Sequence, residues 1–288
     1  MLHDIGRALW FGVWGCPMID LHCHILPGID DGASNLAISL AMARLAVADG
    51  ITTIVCTPHV IPGLYDNSTD NITNAVGTLR LALADADIAL KLCMGADVHI
   101  APDLVRRLSE REIPTIAGGG YFLFEPPHDV APPHLVDFCQ SILASGLHPV
   151  LTHPERLTWI EGHYNIIEEL CRAGVVMQIT AGSITGDFGK RPRYWAERML
   201  EEDRVDILAT DAHNLTRRPP ILSKARDAVA ARLGDKKAEF MVEGGPAMIV
   251  GNLLLPAKAI RPEPKNQYNP VAELLSRWMG NWGRSVDA

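Results

Sequence analysis

Seven runs of apolar and β-branched residues punctuate this chain, and each is followed by a stretch with helical periodicity. The strand-like runs are MIDLHCH (18–24), ITTIVCT (51–57), IALKLCMG (88–95), YFLFE (121–125), HPVLTH (148–153), VVMQIT (175–180) and VDILATD (205–211). The helical stretches cover 35–50, 69–86, 102–110, 132–146, 165–174, 193–203 and 219–233. Ser34 is the expected cap of the first helix and Gly50 its stop. The strand runs are almost unbroken in apolar residues, as strands covered on both faces must be. Such alternation predicts an α/β fold with a parallel sheet, open or closed into a barrel.

Other classes lose ground on composition and motifs. A chain of 288 residues with 48% hydrophobic and 21% charged residues can build a sizeable core. Its net charge of −8, without a lysine or arginine run, argues against an extended nucleic-acid surface, though local basic residues could meet a phosphate. No GxGxxG follows the first strand and no GxxxxGK[ST] occurs, which disfavours nucleotide binding. The six cysteines (Cys16, Cys23, Cys56, Cys93, Cys139 and Cys171) are scattered without a CxxC pair. They read as thiols of a reducing, cytoplasmic compartment rather than a disulfide framework or a thiolate zinc site. Residues 1–17 carry an apolar stretch too short to span a bilayer and no A-x-A-like cleavage site follows, so they read as an extension before a domain at 18–255. No membrane insertion is expected. Residues 256–288 are proline-rich and polar, then place Leu274, Leu275, Trp278 and Trp282 at helical spacing, as a helix docking on the body or a partner would.

The residues at the C-terminal ends of the strands carry the chemistry. The first strand ends in His22 and His24, the second in His59, the third in Asp97, the fourth in Glu125, the fifth in His153, and the seventh in Asp211 and His213. The sixth offers only Thr180 and Ser183. One such residue alone is usually a turn or cap. Repetition at the same end of successive strands is not explained by capping, and in β/α barrels function gathers at that end. His22 and His24, two apart on a strand, leave the same face and can meet one ion. With Asp31, the set numbers nine imidazoles and carboxylates and no thiolate, which suits manganese foremost, and iron or zinc. Nine exceed the needs of one ion, so two or three clustered ions are expected. Clustered ions favour hydrolysis at phosphorus, because they polarise phosphoryl oxygens and generate hydroxide near neutral pH. Asp20 and Asp30 are left between supporting roles around the histidines and plain structural ones.

The segments MIDLHCHILPGIDDGA, TPH, THPER, QITAGSITGDFGK and TDAHN…RRPP resemble the PHP (polymerase and histidinol phosphatase) superfamily, and within it the bacterial protein-tyrosine phosphatases of capsule and exopolysaccharide operons, the CpsB/CapC type. The resemblance runs from about Met18 to Leu255. It implies a distorted, TIM-like (β/α)7 barrel with a trinuclear metal site. By matching positions, it implies that His22, His24 and Asp211 hold one metal, Glu125 and His153 a second, and Asp31, His59 and His213 a third. Asp97 falls at the family's bridging carboxylate, usually Glu, and is one methylene shorter. Arg156 and Arg218 match positions expected to bind the substrate phosphate, a task that guanidinium forks suit.

The resemblance further implies a phosphotyrosyl protein as substrate, in particular the tyrosine-rich tail of a bacterial tyrosine autokinase, and a role in polysaccharide export. Homo-oligomerisation is left open. His59 and His213 join the two arginines as candidate catalytic groups, with either a site histidine or a bound water supplying the leaving-group proton. Two rivals stand beside this reading: a PHP phosphatase of a small ester such as histidinol phosphate, and a binding scaffold without catalysis. A thiol mechanism needs an arginine six positions after the nucleophilic cysteine. Position 29, six after Cys23, is Ile29, and no other cysteine has the arginine.

Overall fold

Short β-branched runs between helices give the first strands, β1 (Met18–Cys23) and β2 (Ile51–Cys56), which pair in parallel. The computed structural model describes residues 17–256. Pro58 has no amide hydrogen for the ladder, and the second stave breaks there before resuming as β3 (His59–Val60). The third stave breaks likewise at Gly95, between β4 (Lys91–Met94) and β5 (Asp97–His99). A Cβ on Gly95 would lie 2.7 Å from Val55 Cγ1, so only glycine lets the two staves approach at the bend. The remaining staves are β6 (Tyr121–Glu125), β7 (His148–Thr152), β8 (Val176–Thr180) and β9 (Ile207–Ala209).

One ladder runs β1-β2-β4 and the other β3-β5-β6-β7-β8-β9, all parallel. The breaks divide the ladders, but backbone bonds join them. Asp211 N donates to His22 O at 2.8 Å and His24 N to Ala212 O at 2.9 Å, while Gly95 N donates to Cys56 O at 3.0 Å. The seven staves therefore close on themselves as a distorted barrel.

Helices separate the staves: α1 (Leu36–Ala48), α2 (Thr69–Asp85), α3 (Leu104–Ser109), α4 (Leu135–Ala144), α5 (Ile160–Ala173), α6 (Ala181–Thr185), α7 (Lys190–Glu201) and α8 (Ser223–Leu233). Met42, Leu79, Ile142, Ile167 and Met199 from these helices share a buried cluster with Ile54, Leu92, Phe122, Phe124, Leu151, Met177 and Leu208 from the strands. A second cluster of Leu21, Val55, Cys93, Leu123, Val150, Val176 and Ile207 is also dry. Val176 shares a strand face with Gln178, which bonds His22, so this cluster fills the barrel directly beneath the strand-end histidines.

Several boundaries differ from expectation. The cap of α1 is Asn35, whose side-chain oxygen accepts from Ile38 N at 3.1 Å, not Ser34. α5 begins at Ile160, ahead of a break in helical geometry at His163. Residues 235–250, given no element above, form α9 (Asp235–Glu239), one π-helical turn and α10 (Gly245–Val250). The expected N-terminal extension at 1–17 and the amphipathic segment within 256–288 lie, except for their innermost residues, outside the described residues.

Candidate metal centre

The strand-end residues converge. His22 Nε2 and His24 Nε2 lie 3.0 Å apart, and Asp211 Oδ1 is 3.3 Å from the first and 3.5 Å from the second. Donors bonded at about 2.1 Å around one ion stand roughly 3.0–3.4 Å apart, so these three atoms have the spacing of a shared coordination sphere. His24, Asp31, His59 and His213 form a second grouping of potential ligand atoms, Glu125, His128 and His153 a third, and His59, His99 and Glu125 a fourth. Asp97 Oδ2 sits between the groups, 3.6 Å from His22 Nε2 and 3.2 Å from His59 Nδ1.

The surroundings fix these rings. His22 Nδ1 faces Gln178 Oε1 at 2.8 Å, and His24 Nδ1 faces Asp30 Oδ2 at 2.8 Å. In the tautomers those partners select, each Nδ1 donates and each Nε2 keeps its lone pair for the centre. Asp30 also accepts from Gly32 N at 2.9 Å and His59 N at 3.1 Å. Asp20 accepts from Thr210 N and Thr210 Oγ1 and so ties β1 to the segment after β9, touching His22 only at its backbone amide. Glu155 Oε1 accepts from Thr180 N at 3.0 Å and Ser183 Oγ at 2.7 Å, which links the HPER turn to α6. Thr180 through its amide and Ser183 through its hydroxyl thus brace the turn that carries His153 and Arg156. His153 and Asp211 adopt φ of +35° and +52°, a left-handed conformation that costs a non-glycine residue about 1 kcal/mol or more and recurs at functional sites.

Electrostatics set the same requirement. Asp97 is fully buried, and neither carboxylate oxygen finds a hydrogen bond among the described residues. Burial first, and the neighbouring Glu125 charge second, push its carboxyl well above the usual range. Burial holds His22 down at about 3 and His59 at about 4. Burial opposes charge on His24 too, yet Asp211 and Asp30 outweigh it and hold the ring up at about 10. Burial likewise opposes charge on Glu125, but His128 and His99 keep it well below the carboxylate range. Carboxylates crowded out of water, with unbonded oxygens on Asp97 and Glu125, beside His22, His59 and His153 rings that burial keeps from charging, fit divalent cations.

Arg156 and Arg218 both place a guanidinium nitrogen on Asp211 Oδ2. Arg156 also lies 4.8 Å over the Phe188 ring, held there by the GDFG turn. Both arginines are partly exposed, and Arg218 Nε is buried without a hydrogen-bond partner among the described residues.

Reading the sequence by strand ends omitted His99 and His128, which hold Glu125 at 2.5 Å and 2.9 Å. His99 was legible: it stands two residues after Asp97 on one strand, the same spacing that pairs His22 with His24. His128 lies three residues beyond Glu125 in EPPH, past the strand, where periodicity no longer indicates direction. Gln178 is interior to β8 and gave no local signal. Cys23 points away from this chemistry. It is fully buried, its Sγ is 3.9 Å from Ala212 O, and burial pushes the thiol well above its usual range.

A closed parallel barrel with clustered imidazoles and carboxylates at its C-terminal rim defines a PHP-type fold. The chain belongs to the CpsB/CapC family of capsular polysaccharide synthesis, whose model matches residues 18–250. It is 36% identical over 232 residues to the tyrosine-protein phosphatase YwqE of Bacillus subtilis, covering 81% of this chain and 91% of that one. It is 29% identical over 243 residues to the tyrosine-protein phosphatase CpsB of Streptococcus pneumoniae, covering 83% and 100%. A crystal structure from work on these two proteins, described as metal-dependent tyrosine phosphatases, superposes with a TM-score of 0.82 at 32% identity, covering 87% of this chain and 100% of that one. Histidinol phosphate phosphatase of Lactococcus lactis shares the fold at a TM-score of 0.51 and 14% identity, covering 79% and 97%.

Proposed function

We propose that this chain hydrolyses phosphotyrosine in proteins, and that its substrate is the tyrosine-rich tail of a bacterial tyrosine autokinase in polysaccharide export. The convergence of buried nitrogen and oxygen ligands beside two partly exposed arginines carries this reading, together with membership of a family that includes metal-dependent tyrosine phosphatases. His22, His24 and Asp211 would hold one ion, Glu125 and His153 a second, and Asp31, His59 and His213 a third. Asp97 would bridge the first two, and His99 and His128 orient Glu125. The donor set favours manganese, with iron or zinc the next candidates. Divalent ions there supply polarised phosphoryl oxygens and water acidified to near neutrality.

The chain's own residues do the rest. Arg156 and Arg218 take the phosphoryl oxygens in bidentate contacts and stabilise charge as it spreads toward the transition state. Phe188 keeps Arg156 extended over the site. His59 Nε2 and His213 Nε2 approach Asp31 Oδ1 at 3.6 Å and 3.5 Å; a ring that ligates an ion there has no proton at that nitrogen, so only one left unliganded could hold a proton for the leaving oxygen. A phenolate needs that proton less than an alkoxide does, so the arrangement suits an aryl phosphate. The buried, unactivated Cys23 takes no part.

A cytoplasmic setting agrees with the buried thiols of Cys23, Cys56, Cys93 and Cys139, and among the described residues no helix is long and apolar enough to cross a membrane. The test is elemental analysis of protein purified without chelator, with turnover of a phosphotyrosyl peptide compared against histidinol phosphate. Two or three ions per chain and preference for the peptide are expected. Metal-free protein that ignores the peptide after manganese is added ends this reading.

A further inference from the structure

Beyond His59 the loop IPGLYDN carries two side chains that neither the core nor the ligand shell uses. Leu64 is 66% exposed, a high value for a leucine beside a polar site. The Tyr65 ring lies 6.0 Å from the His59 ring at an interplanar angle of 15°, a stacked arrangement. Its other neighbours include Asp31 and Asp30, whose charges reach the phenol. Tyr65 therefore stands at the rim of the centre, with its ring parallel to an imidazole of the site.

The loop is built to hold that geometry. Tyr65 N donates to Ile61 O at 2.9 Å, Ile61 N to Tyr65 O at 3.1 Å and Leu64 N to Ile61 O at 3.0 Å, so five residues close into a tight hairpin. Gly63 supplies the left-handed turn at φ +77°, with its amide on Asp66 Oδ1 at 2.9 Å. Buried Asn67 anchors the base, donating to His59 O at 2.8 Å and Ile29 O at 3.0 Å. Exposed apolar groups on a pinned loop lose little conformational entropy when a ligand covers them.

Resting on the proposed phosphatase reading, we infer that Leu64 and Tyr65 form the platform that takes the phenyl ring of phosphotyrosine and thereby selects aryl over alkyl phosphomonoesters. The phosphoryl group lies among the ligands and the two arginines. The ring attached to it must leave through the mouth, where Tyr65 stacks on His59 and the exposed Leu64 stands next to it in the chain. An alkyl ester lacks a flat face to stack there. The leaving-group pKa favours aryl esters at any site, so turnover alone cannot isolate the platform.

Inhibition separates the two effects, because phosphonates do not react. Competitive inhibition constants for phenylphosphonate, methylphosphonate and inorganic phosphate are measured on the metal-loaded full chain, for the wild type and for Tyr65→Ala, Leu64→Ala and Tyr65→Phe. The preference for phenylphosphonate over methylphosphonate should fall roughly ten-fold in Tyr65→Ala, the scale of one aromatic contact and its burial, and several-fold in Leu64→Ala. Tyr65→Phe should keep it, since the ring and not the hydroxyl makes the platform. Leu64→Ala removes an exposed side chain, so its folding is not at issue. An unchanged preference in both alanine variants, in enzyme that still hydrolyses phosphotyrosyl peptide, overturns the platform alone. A wild type that neither hydrolyses the peptide nor is inhibited by phosphate overturns the phosphatase reading and the platform with it.

Discussion

Asp30 never touches the centre of the site, yet its replacement should empty much of it. Its Oδ2 faces His24 Nδ1 at 2.8 Å and accepts from the His59 amide at 3.1 Å, while Oδ1 accepts from the Gly32 amide at 2.9 Å. Three donors on two segments thus converge on one carboxylate that is almost entirely buried. Asp30→Asn keeps the shape and loses the charge. Whichever way the amide is turned, its NH2 faces at least one of these donors. If it faces His24, that ring must accept at Nδ1 and carry its hydrogen on Nε2, which blocks the nitrogen aimed at the ion. In that orientation it also strands the His59 amide, which shares the same oxygen; turned the other way it strands the Gly32 amide, and each stranded buried donor costs about 1–3 kcal/mol. Loss of a partner that orients a ligating histidine costs about 10–100-fold in metal affinity or activity. Asp30→Asn protein dialysed against a weak chelator should therefore retain distinctly less metal than wild type, and saturating manganese should restore part of the phosphatase rate. Full metal content and full rate without added manganese would refute the claim that Asp30 selects the His24 tautomer.

Cys23→Ser should keep most activity and all bound metal, by elemental analysis and phosphotyrosyl-peptide turnover; complete loss with metal still bound would revive a thiol mechanism. Gly32→Ala should abolish metal retention, because its Cβ would fall 2.2 Å from His24 O and 2.5 Å from His24 Cβ, contacts that only a shift of the ligating segment can relieve. Arg156→Lys keeps the charge and loses the fork, so kcat/KM should drop about 100-fold with little change in melting temperature. Glu155 is pushed up to about 7 by burial, against the bonds from Ser183 and Thr180. The folded state therefore binds its proton more tightly than the unfolded chain, whose group titrates near 4.5. This residue's contribution is fully present below pH 4.5 and is lost as pH rises through 7, by about 3 kcal/mol at most. Thermal melts of metal-stripped protein from pH 4.5 to 7.5 should show that slope in wild type and a flatter one in Glu155→Gln.

The fold was legible because both signals that build it are local. Strands buried on two faces write themselves as unbroken apolar runs, and the helices between them carry a 3.6-residue period. What escaped was local in another sense. The breaks at Pro58 and Gly95 depend on how neighbouring staves approach, and α9 to α10 has a glycine-rich, short-turn composition that no single period describes. For the site, the chain-order rule that six of the seven staves end in a ligand type reached His22, His24, His59, Asp97, Glu125, His153, Asp211 and His213, all of which the barrel brings to one rim. It failed for residues that act on the ligands. Gln178 looks like one polar residue in an apolar strand until closure sets His22 beside it, and Glu155 looks like surface charge until α6 folds over it. Such partners are defined by contacts between distant segments, 156 residues apart for His22 and Gln178, and no window of sequence holds both.

Asp97 shows how the stave breaks and the ligand set belong to one design. If Asp97 bridges two ions as proposed, it does so with a side chain one methylene shorter than glutamate's, so its main-chain position matters. In the ladder His59 pairs directly with Asp97, in the same register as Cys56 with Met94 below the interruptions at Pro58 and Gly95. The paired interruptions leave that register intact, so His59–Val60 and Asp97–His99 carry it on and join β6 in one ladder. Asp97 Oδ2 then reaches within 3.2 Å of His59 Nδ1 and 3.6 Å of His22 Nε2 while remaining fully buried. A glycine at 95 is what permits it, since any side chain there would meet Val55 before Asp97 could reach the centre.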